Sequence, residues 1–318
     1  MDRNLTLEMI RVTEAAALAA AGWMGRGDAL SATRAATNSM HQTLNCIPFA
    51  GKIAIGEGEP GAVEHLYSGE LVGGGGPDQY HLVLDPLECT RSVAFGRSNA
   101  MSVVAMAPED CFYVPPTQYL EKLAVGPEAA GVIDLELSTE ENLRRIAASK
   151  NYSISDLTVV ILDRERHSRL IEDVRGIGAR IHLIPDGDVA AAIAAATPGT
   201  GVDVLMGTGG AAAGVLAAAA LRCIGGEILS RLAPFDKEEA EHAGQLGVQD
   251  MRKVFRARDL VRSDNVMFAA TGVTDGDLLN GVVYRPDGAT THSLVVSSKS
   301  RTRRFIVTEH FFEDSPLY

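Results

Sequence analysis

The chain has 318 residues, 46% of them apolar, enough to bury a full core as one large domain or as two packed halves. A formal net charge of −12 argues against broad nucleic-acid binding, which draws on excess Lys and Arg, although a local basic pocket would still admit a phosphorylated substrate. No uncharged apolar run of about 18 or more residues suggests a membrane span, and MDRNLTLEMI carries acids where a secretory signal would be basic and then apolar, so a cytoplasmic protein is expected. Cys46, Cys89, Cys111 and Cys223 form no C-x-x-C pair, which indicates neither a disulfide framework nor a structural zinc site.

In chain order, LTLEMIRVTEAAALAAAGWM (5–24) predicts a long helix stopped by Gly25-Arg26-Gly27, and residues 30–45 predict a second. KIAIGEGE (52–59) reads as a short β-branched strand entering a Gly/acid turn, and YHLVLDPLE as another strand ending in acids. Four consecutive glycines assign 69–79 to a loop, followed by a strand over 99–107 and a Pro-rich stretch over 112–123. The texture changes near residue 150. LTVVILDRERH, ARIHLIPDGDVAAAIAAA and VDVLMGTGGAAAGVLAAAALRCIGGEIL each give a strand, a polar or glycine turn, and usually an Ala-rich helix. That is the α/β rhythm, in which ligands gather where strands end and helices begin. A charged helix over 236–257 and the strands of SLVVSSKSRTRRFIVTEHFF close the chain, without internal repeats.

Two acidic strand ends carry the chemistry: Gly56-Glu57-Gly58-Glu59, and Asp85-Pro86-Leu87-Glu88-Cys89-Thr90. Clustered carboxylates raise one another's pKa, so a close set implies a cation or a shared proton. Oxygen-only donors favour Mg²⁺ or Mn²⁺ over zinc, and such an ion suits phosphate ester hydrolysis. Taken singly, the second hexapeptide reads equally well as a solvated turn capping a helix, Arg164-Glu165-Arg166-His167 as a charged turn, and Asp186-Gly187-Asp188 as a turn and N-cap. His41, His65, His81 and the other histidines show no metal-ligand spacing and are expected to be structural or exposed.

Taken together, IGEGE, LYSGE, DPLECT, NAMSV, QYLEKL, PDGDVAA, DVLMGTGGAAAGV and RSDNVMFAATGVTDGDLL resemble the class II fructose-1,6-bisphosphatases, members of the lithium-sensitive sugar and inositol phosphatase superfamily. The similarity runs from GRGD at 25–28 to SKSRT at 298–302. It implies an α/β sandwich of alternating helix and sheet layers. The expected halves are 1–150, with the metal and phosphate site, and 151–318, which binds the sugar, with the site in the cleft between them. It also implies a homo-oligomer that depends on Mg²⁺ or Mn²⁺ and hydrolyses a phosphorylated ketose. By position, Glu57, Asp85, Glu88 and the Leu87 carbonyl resemble metal ligands, Thr90 would hold the attacking water, and the Cys89-Thr90 backbone would meet the phosphate. Glu59 joins Glu57, Asp85, Glu88 and Thr90 as a candidate catalytic residue. Tyr119, Arg164, Arg166, His167, Asp186, Asp188 and Gly210 match positions that bind the sugar and its distal phosphate. Forked Arg donors suit a phosphate, and Asp acceptors suit sugar hydroxyls.

The sequence also departs from the family's pattern. Where GRGDKNxAD is usual the chain reads GRGDALSAT, placing Ala29 for a lysine and Thr33 for a metal-binding acid. GEGEPG leaves Gly61 for an Asp, DPLECT has Cys89 for a glycine, and GTGGAAAGV has Ala213 for a metal-binding glutamate. The first metal site survives these changes, while the others lose acids. Impaired hydrolysis is therefore expected, with a non-hydrolytic acid–base enzyme or a non-catalytic sugar-phosphate sensor as the alternatives.

Overall fold

The computed structural model describes residues 3–77 and 79–312. The chain opens with α1 (Arg3–Ala21), α2 (Ala29–Asn45), β1 (Ala50–Ile55), β2 (Leu71–Val72), β3 (Gln79–Glu88), the short α3 (Thr90–Ala94) and β4 (Met101–Pro108). There follow β5 (Tyr119–Val125), α4 (Thr139–Lys150), β6 (Thr158–Leu162), α5 (Ser168–Ile177), β7 (Arg180–Ile184), α6 (Asp188–Ala195), β8 (Val204–Gly210) and α7 (Ala211–Ile224). Next come β9 (Glu227–Leu232), α8 (Lys237–Gln245), β10 (Phe255–Arg256) and α9 (Ala257–Leu260), before β11 (Met267–Gly272), β12 (Val283–Arg285), β13 (Gly288–Ser297) and β14 (Thr302–Phe311). No helix among the described residues is long and apolar enough to cross a membrane.

Two compact units result, Met1–Phe112 with Ser263–Tyr318, and Tyr113–Arg262. The division expected near residue 150 falls inside the second unit, at the end of α4. In the first unit eight strands form one sheet in the order β12-β13-β11-β4-β3-β1-β2, with β14 also paired to β13. The apolar positions of α1, among them Met9, Val12, Ala16 and Leu18, are buried in the same core as Leu82, Leu84, Val104 and Val295 of the sheet. In the second unit six strands run β10-β9-β5-β8-β6-β7, and α4 and α5 contribute Leu143, Ile146, Ile171 and Val174 to its core.

Two expectations need correction. Residues 69–79 are not all loop, because Leu71 and Val72 pair antiparallel with Lys52 and Gly51 as β2. The four glycines begin only at Gly73, whose left-handed φ of +100° ends the strand. The helix expected over 236–257 is nine residues long, Lys237–Gln245. Gly247 at φ +94° stops it, and a two-stranded pairing of β10 with β9 takes over at Phe255. The first helix, α1, ends at Ala21, three residues before the expected end at 24, and Gly25 and Gly27 follow it in the left-handed region at φ +71° and +74°.

Candidate active site

Parallel pairing of β1 with β3 sets the first cluster. Ile55 registers with Val83, so Glu57, two residues past the last register pair and just beyond β1, comes beside Asp85, two residues past Val83 and still within β3. Only glycine is tolerated just before Glu57, because a Cβ on Gly56 would overlap the Leu66 carbonyl oxygen, the group that accepts from Glu57 N at 2.9 Å. Burial, and then the charge of Asp85, push the Glu57 carboxyl up to about 8.

Pro86 shapes the other strand end. It has no N–H for the ladder, and the β3–β4 register slips between Asp85 and Glu88, opposite Val103 and Met101. The bulge leaves Leu87 N to be satisfied by Asp85 Oδ1 at 3.0 Å, and Thr90 Oγ1 donates back to the Leu87 carbonyl at 3.1 Å. Glu88 is buried at the strand end. Cys89 follows in the left-handed region at φ 65°, ψ 45°, as the N-cap residue of α3. A side chain there costs about 1 kcal/mol relative to glycine, so the turn keeps a shape that glycine would adopt without strain.

Thr33 joins this cluster. Asp28 caps α2 by accepting from Ser31 N at 3.0 Å, and the first turns of the helix then present Thr33, whose hydroxyl donates to Thr90 Oγ1 at 3.2 Å. The result is a relay from Thr33 through Thr90 to the Leu87 carbonyl. Glu59 and Gly61 lie beyond it in an exposed turn, closed by Ala62 N donating to the Glu59 carbonyl at 3.0 Å.

The second cluster is built in the other unit by the same logic. β6 runs parallel to both β7 and β8, so the turns after Leu162, Ile184 and Gly210 share one edge of that sheet. Those turns carry Arg164, Arg166 and His167, then Asp186 and Asp188, then the start of α7. Antiparallel β5 adds Tyr119 directly opposite Gly210. Arg166 lies over the Tyr119 ring at 5.2 Å while its Nε and Nη2 donate to the Thr208 carbonyl at 3.1 and 2.8 Å. Arg164 is exposed and donates to the Asp163 carbonyl at 3.1 Å, and Asp186 is half-buried with Oδ1 accepting from Gly187 N at 3.2 Å.

His167 is buried and fully engaged. Thr208 N donates to its Nε2 at 2.8 Å, so Nδ1 carries the proton and donates to the Leu162 carbonyl at 2.8 Å. Burial lowers its pKa, and the imidazole stays neutral. The glycines of GTGG make room for this packing: a Cβ on Gly207 would press on the imidazole, and one on Gly209 would overlap Asp188 Oδ2.

Sequence reasoning missed Lys122. Its ammonium is buried, 2.5 Å from Asp188 Oδ2 and 2.6 Å from the Gly210 carbonyl. A period-two reading contains the signal, since Leu120, Lys122 and Ala124 are all buried on one face of β5. His41 and His65 were likewise expected to be unremarkable. The fold brings them within reach of Glu70, and their rings stack with centroids 4.0 Å apart.

One pH effect follows from the first cluster. The folded-state pKa of Glu57, about 8, lies above its ordinary value of 4.5, so the stability it contributes is fully present below about pH 4.5 and is lost as pH rises through 8. In chelator-treated protein the thermal midpoint should fall between pH 5 and 8.5, and Glu57→Gln should flatten that profile. An equal slope in both proteins would contradict the assignment.

Carboxylates delivered on parallel strand ends, and glycine-made room at the edge of a second α/β sheet, are features of the sugar-phosphatase fold. The comparisons agree. The sequence matches the family described as bacterial fructose-1,6-bisphosphatase, glpX-encoded, over residues 3–310. It is 43% identical to a class 2 fructose-1,6-bisphosphatase of Haemophilus influenzae, covering 99% of this chain and 98% of that protein. It is 44% identical to fructose-1,6-bisphosphatase 1 class 2 of Escherichia coli K12, covering 98% and 97%. The chain therefore belongs to the class II fructose-1,6-bisphosphatase family of sugar-phosphate hydrolases.

Proposed function

We propose that the protein binds a phosphorylated ketose and hydrolyses its phosphomonoester more slowly than an ordinary member of its family. The observation that carries this reading is the hydroxyl of Thr33 bonded to Thr90 at 3.2 Å, where the family resemblance implies a metal-binding acid. The neighbouring donors remain: Glu57, Asp85, Glu88, the Leu87 carbonyl and the Thr90 hydroxyl all offer oxygen, the donor type that suits Mg²⁺ or Mn²⁺. The elevated Glu57 pKa supports the fit, because a carboxylate held beside Asp85 is relieved by a positive charge. Such an ion, when bound, polarises a phosphoryl group and lowers the pKa of an attacking water.

The residues themselves have assignable tasks. Thr90 orients the water, its own proton committed to the Leu87 carbonyl and its oxygen held by Thr33. The Cys89-Thr90 backbone receives the scissile phosphate. Arg164 and Arg166 bind the distal phosphate, Tyr119, Asp186 and Gly210 face the sugar, and His167 holds the 164–167 turn against β8. Asp188 is fixed for its sugar contact by Lys122. Fewer acids leave the leaving-group side less stabilised, and the loss of one contact worth about 3 kcal/mol slows turnover on the order of a hundredfold. A cytoplasmic homo-oligomer is the setting that the family resemblance suggests.

A second reading has its own support. A carboxyl near pKa 8 is suited to general acid–base work on a bound sugar, without hydrolysis. Phosphorus NMR of ketose and aldose phosphates incubated with the protein and Mg²⁺ or Mn²⁺ separates the possibilities. Inorganic phosphate as the product supports slow hydrolysis, and a rearranged sugar phosphate supports acid–base chemistry. Binding with no product would overturn both in favour of a sensor.

A further inference from the structure

We propose that His41, His65 and Glu70 form a binding site for a divalent transition-metal cation, Zn²⁺ by chemistry, separate from the carboxylate set around Glu57 and Asp85. Each residue offers one ligand atom, and the three atoms lie within 4.8 Å of one another, the one such group among the described residues. Donors around a four-coordinate zinc, with bonds of about 2.0–2.2 Å, sit roughly 3.4 Å apart, so side-chain rotation at the same backbone positions would close the set. His41 and Glu70 are nearly there, with Nε2 and Oε1 3.1 Å apart. Only His65 has to move, and it is the most accessible of the three, its side chain 31% exposed against 19% and 12%.

The surroundings resemble the outer shell of a metal centre, in which hydrogen bonds aim the ligands. Glu70 Oε2 accepts from Leu66 N, leaving Oε1 to face the imidazole. Asn45, one helical turn beyond His41 on α2, lies 3.0 Å from His41 Nε2, a contact that an ion on that nitrogen would replace, and its Oδ1 accepts from Gly73 N at 2.9 Å. The two imidazoles lie face to face, 7° from parallel, so their in-plane lone pairs do not meet in this arrangement and His65 must rotate out of the stack to join His41 on one ion. Backbone bonds fix the segment that supplies two of the ligands: Gly69 N donates to the Ile53 carbonyl at 2.8 Å and Ile53 N to the Glu70 carbonyl at 2.9 Å. Leu66, beside His65, is held in the left-handed region at φ 60°, a conformation a leucine keeps only where its surroundings enforce it.

Two imidazoles and one carboxylate select zinc, cobalt or nickel over Mg²⁺, which prefers an all-oxygen set. The site also has a mechanical consequence. His41 lies on α2, whereas His65 and Glu70 lie on the segment whose Leu66 carbonyl accepts from Glu57 N. A bound ion would clamp the helix to the loop that positions Glu57.

The test is titration of Co²⁺ into the full chain stripped with chelator, read by its visible ligand-field absorption, which is strong for four-coordinate sites with imidazole ligands. One equivalent should give these bands, Zn²⁺ should displace them, and Zn²⁺ should raise the thermal midpoint by several degrees. His65→Met and Glu70→Gln should abolish or greatly weaken the bands, and Asp85→Asn should leave them intact. His41→Ala serves as a further ligand deletion if circular dichroism shows either variant unfolded. Absent bands in the parent protein, bands indifferent to all three ligand substitutions, or bands lost in Asp85→Asn would each overturn the proposal.

Discussion

Lys122→Met should destabilise the second unit by about 3–5 kcal/mol, the usual effect of removing one partner from a buried ion pair. Lys122 is 3% exposed and Asp188 7%, so replacing the lysine leaves a buried carboxylate without its ammonium partner. The Gly210 carbonyl loses its donor in the same step. Adding Asp188→Asn should recover a large part of the loss, because an amide tolerates the apolar wall better than an anion. Denaturant unfolding of the two variants and the parent measures both effects. A Lys122→Met cost below about 1 kcal/mol would show that the pair is solvated. Asp188→Asn alone should weaken sugar-phosphate binding, and because it strands the buried Lys122 ammonium it should also lower the unfolding midpoint.

Restoring acids, through Thr33→Asp with Ala213→Glu, should raise phosphate release from fructose 1,6-bisphosphate by roughly a hundredfold in Mg²⁺ or Mn²⁺. Thr33 is the better-supported half of this prediction. Its hydroxyl already touches Thr90, so a carboxylate there is placed beside the hydroxyl proposed to orient the water. Ala213, in the first turn of α7 and half-buried, enters through the family resemblance. Thr33→Asp should therefore also tighten Mn²⁺ binding on its own, and Thr33→Asn, which has the shape without the charge, should not. A double variant no faster than the parent would mean that acids at 33 and 213 are not what limits turnover.

The acidic strand ends were legible because their chemistry is local. Strands ending in acids could be read directly, whereas the bulge at Pro86 and the close approach of the Leu66 carbonyl to Gly56 emerge only in the fold. The turns after β6, β7 and β8 were legible for a similar reason: a strand, a polar turn and an Ala-rich helix repeat within short windows. What stayed hidden depends on partners far away in the chain. Strands 267–311 join the first sheet because β11 pairs with β4, about 160 residues earlier, and no periodicity reports a partner at that distance. The cluster of His41, His65 and Glu70 comes from a helix face and a loop, so it has no ligand spacing to find. Lys122 lay between these cases. Its inward face could be read from the alternation in β5, but its partner Asp188 comes from a different strand end.

We propose above that this family member keeps a sugar-phosphate site and oxygen donors for one ion while lacking acids that speed hydrolysis. Initial rates of phosphate release from fructose 1,6-bisphosphate, measured at saturating Mn²⁺ beside the Escherichia coli K12 relative at 44% identity, test it most directly. Measurable turnover, slower than that of the relative by roughly a hundredfold and with substrate affinity within a few-fold, is expected. Rates equal to the relative's would contradict it, showing that Thr33 and Ala213 serve the reaction as well as the acids they replace.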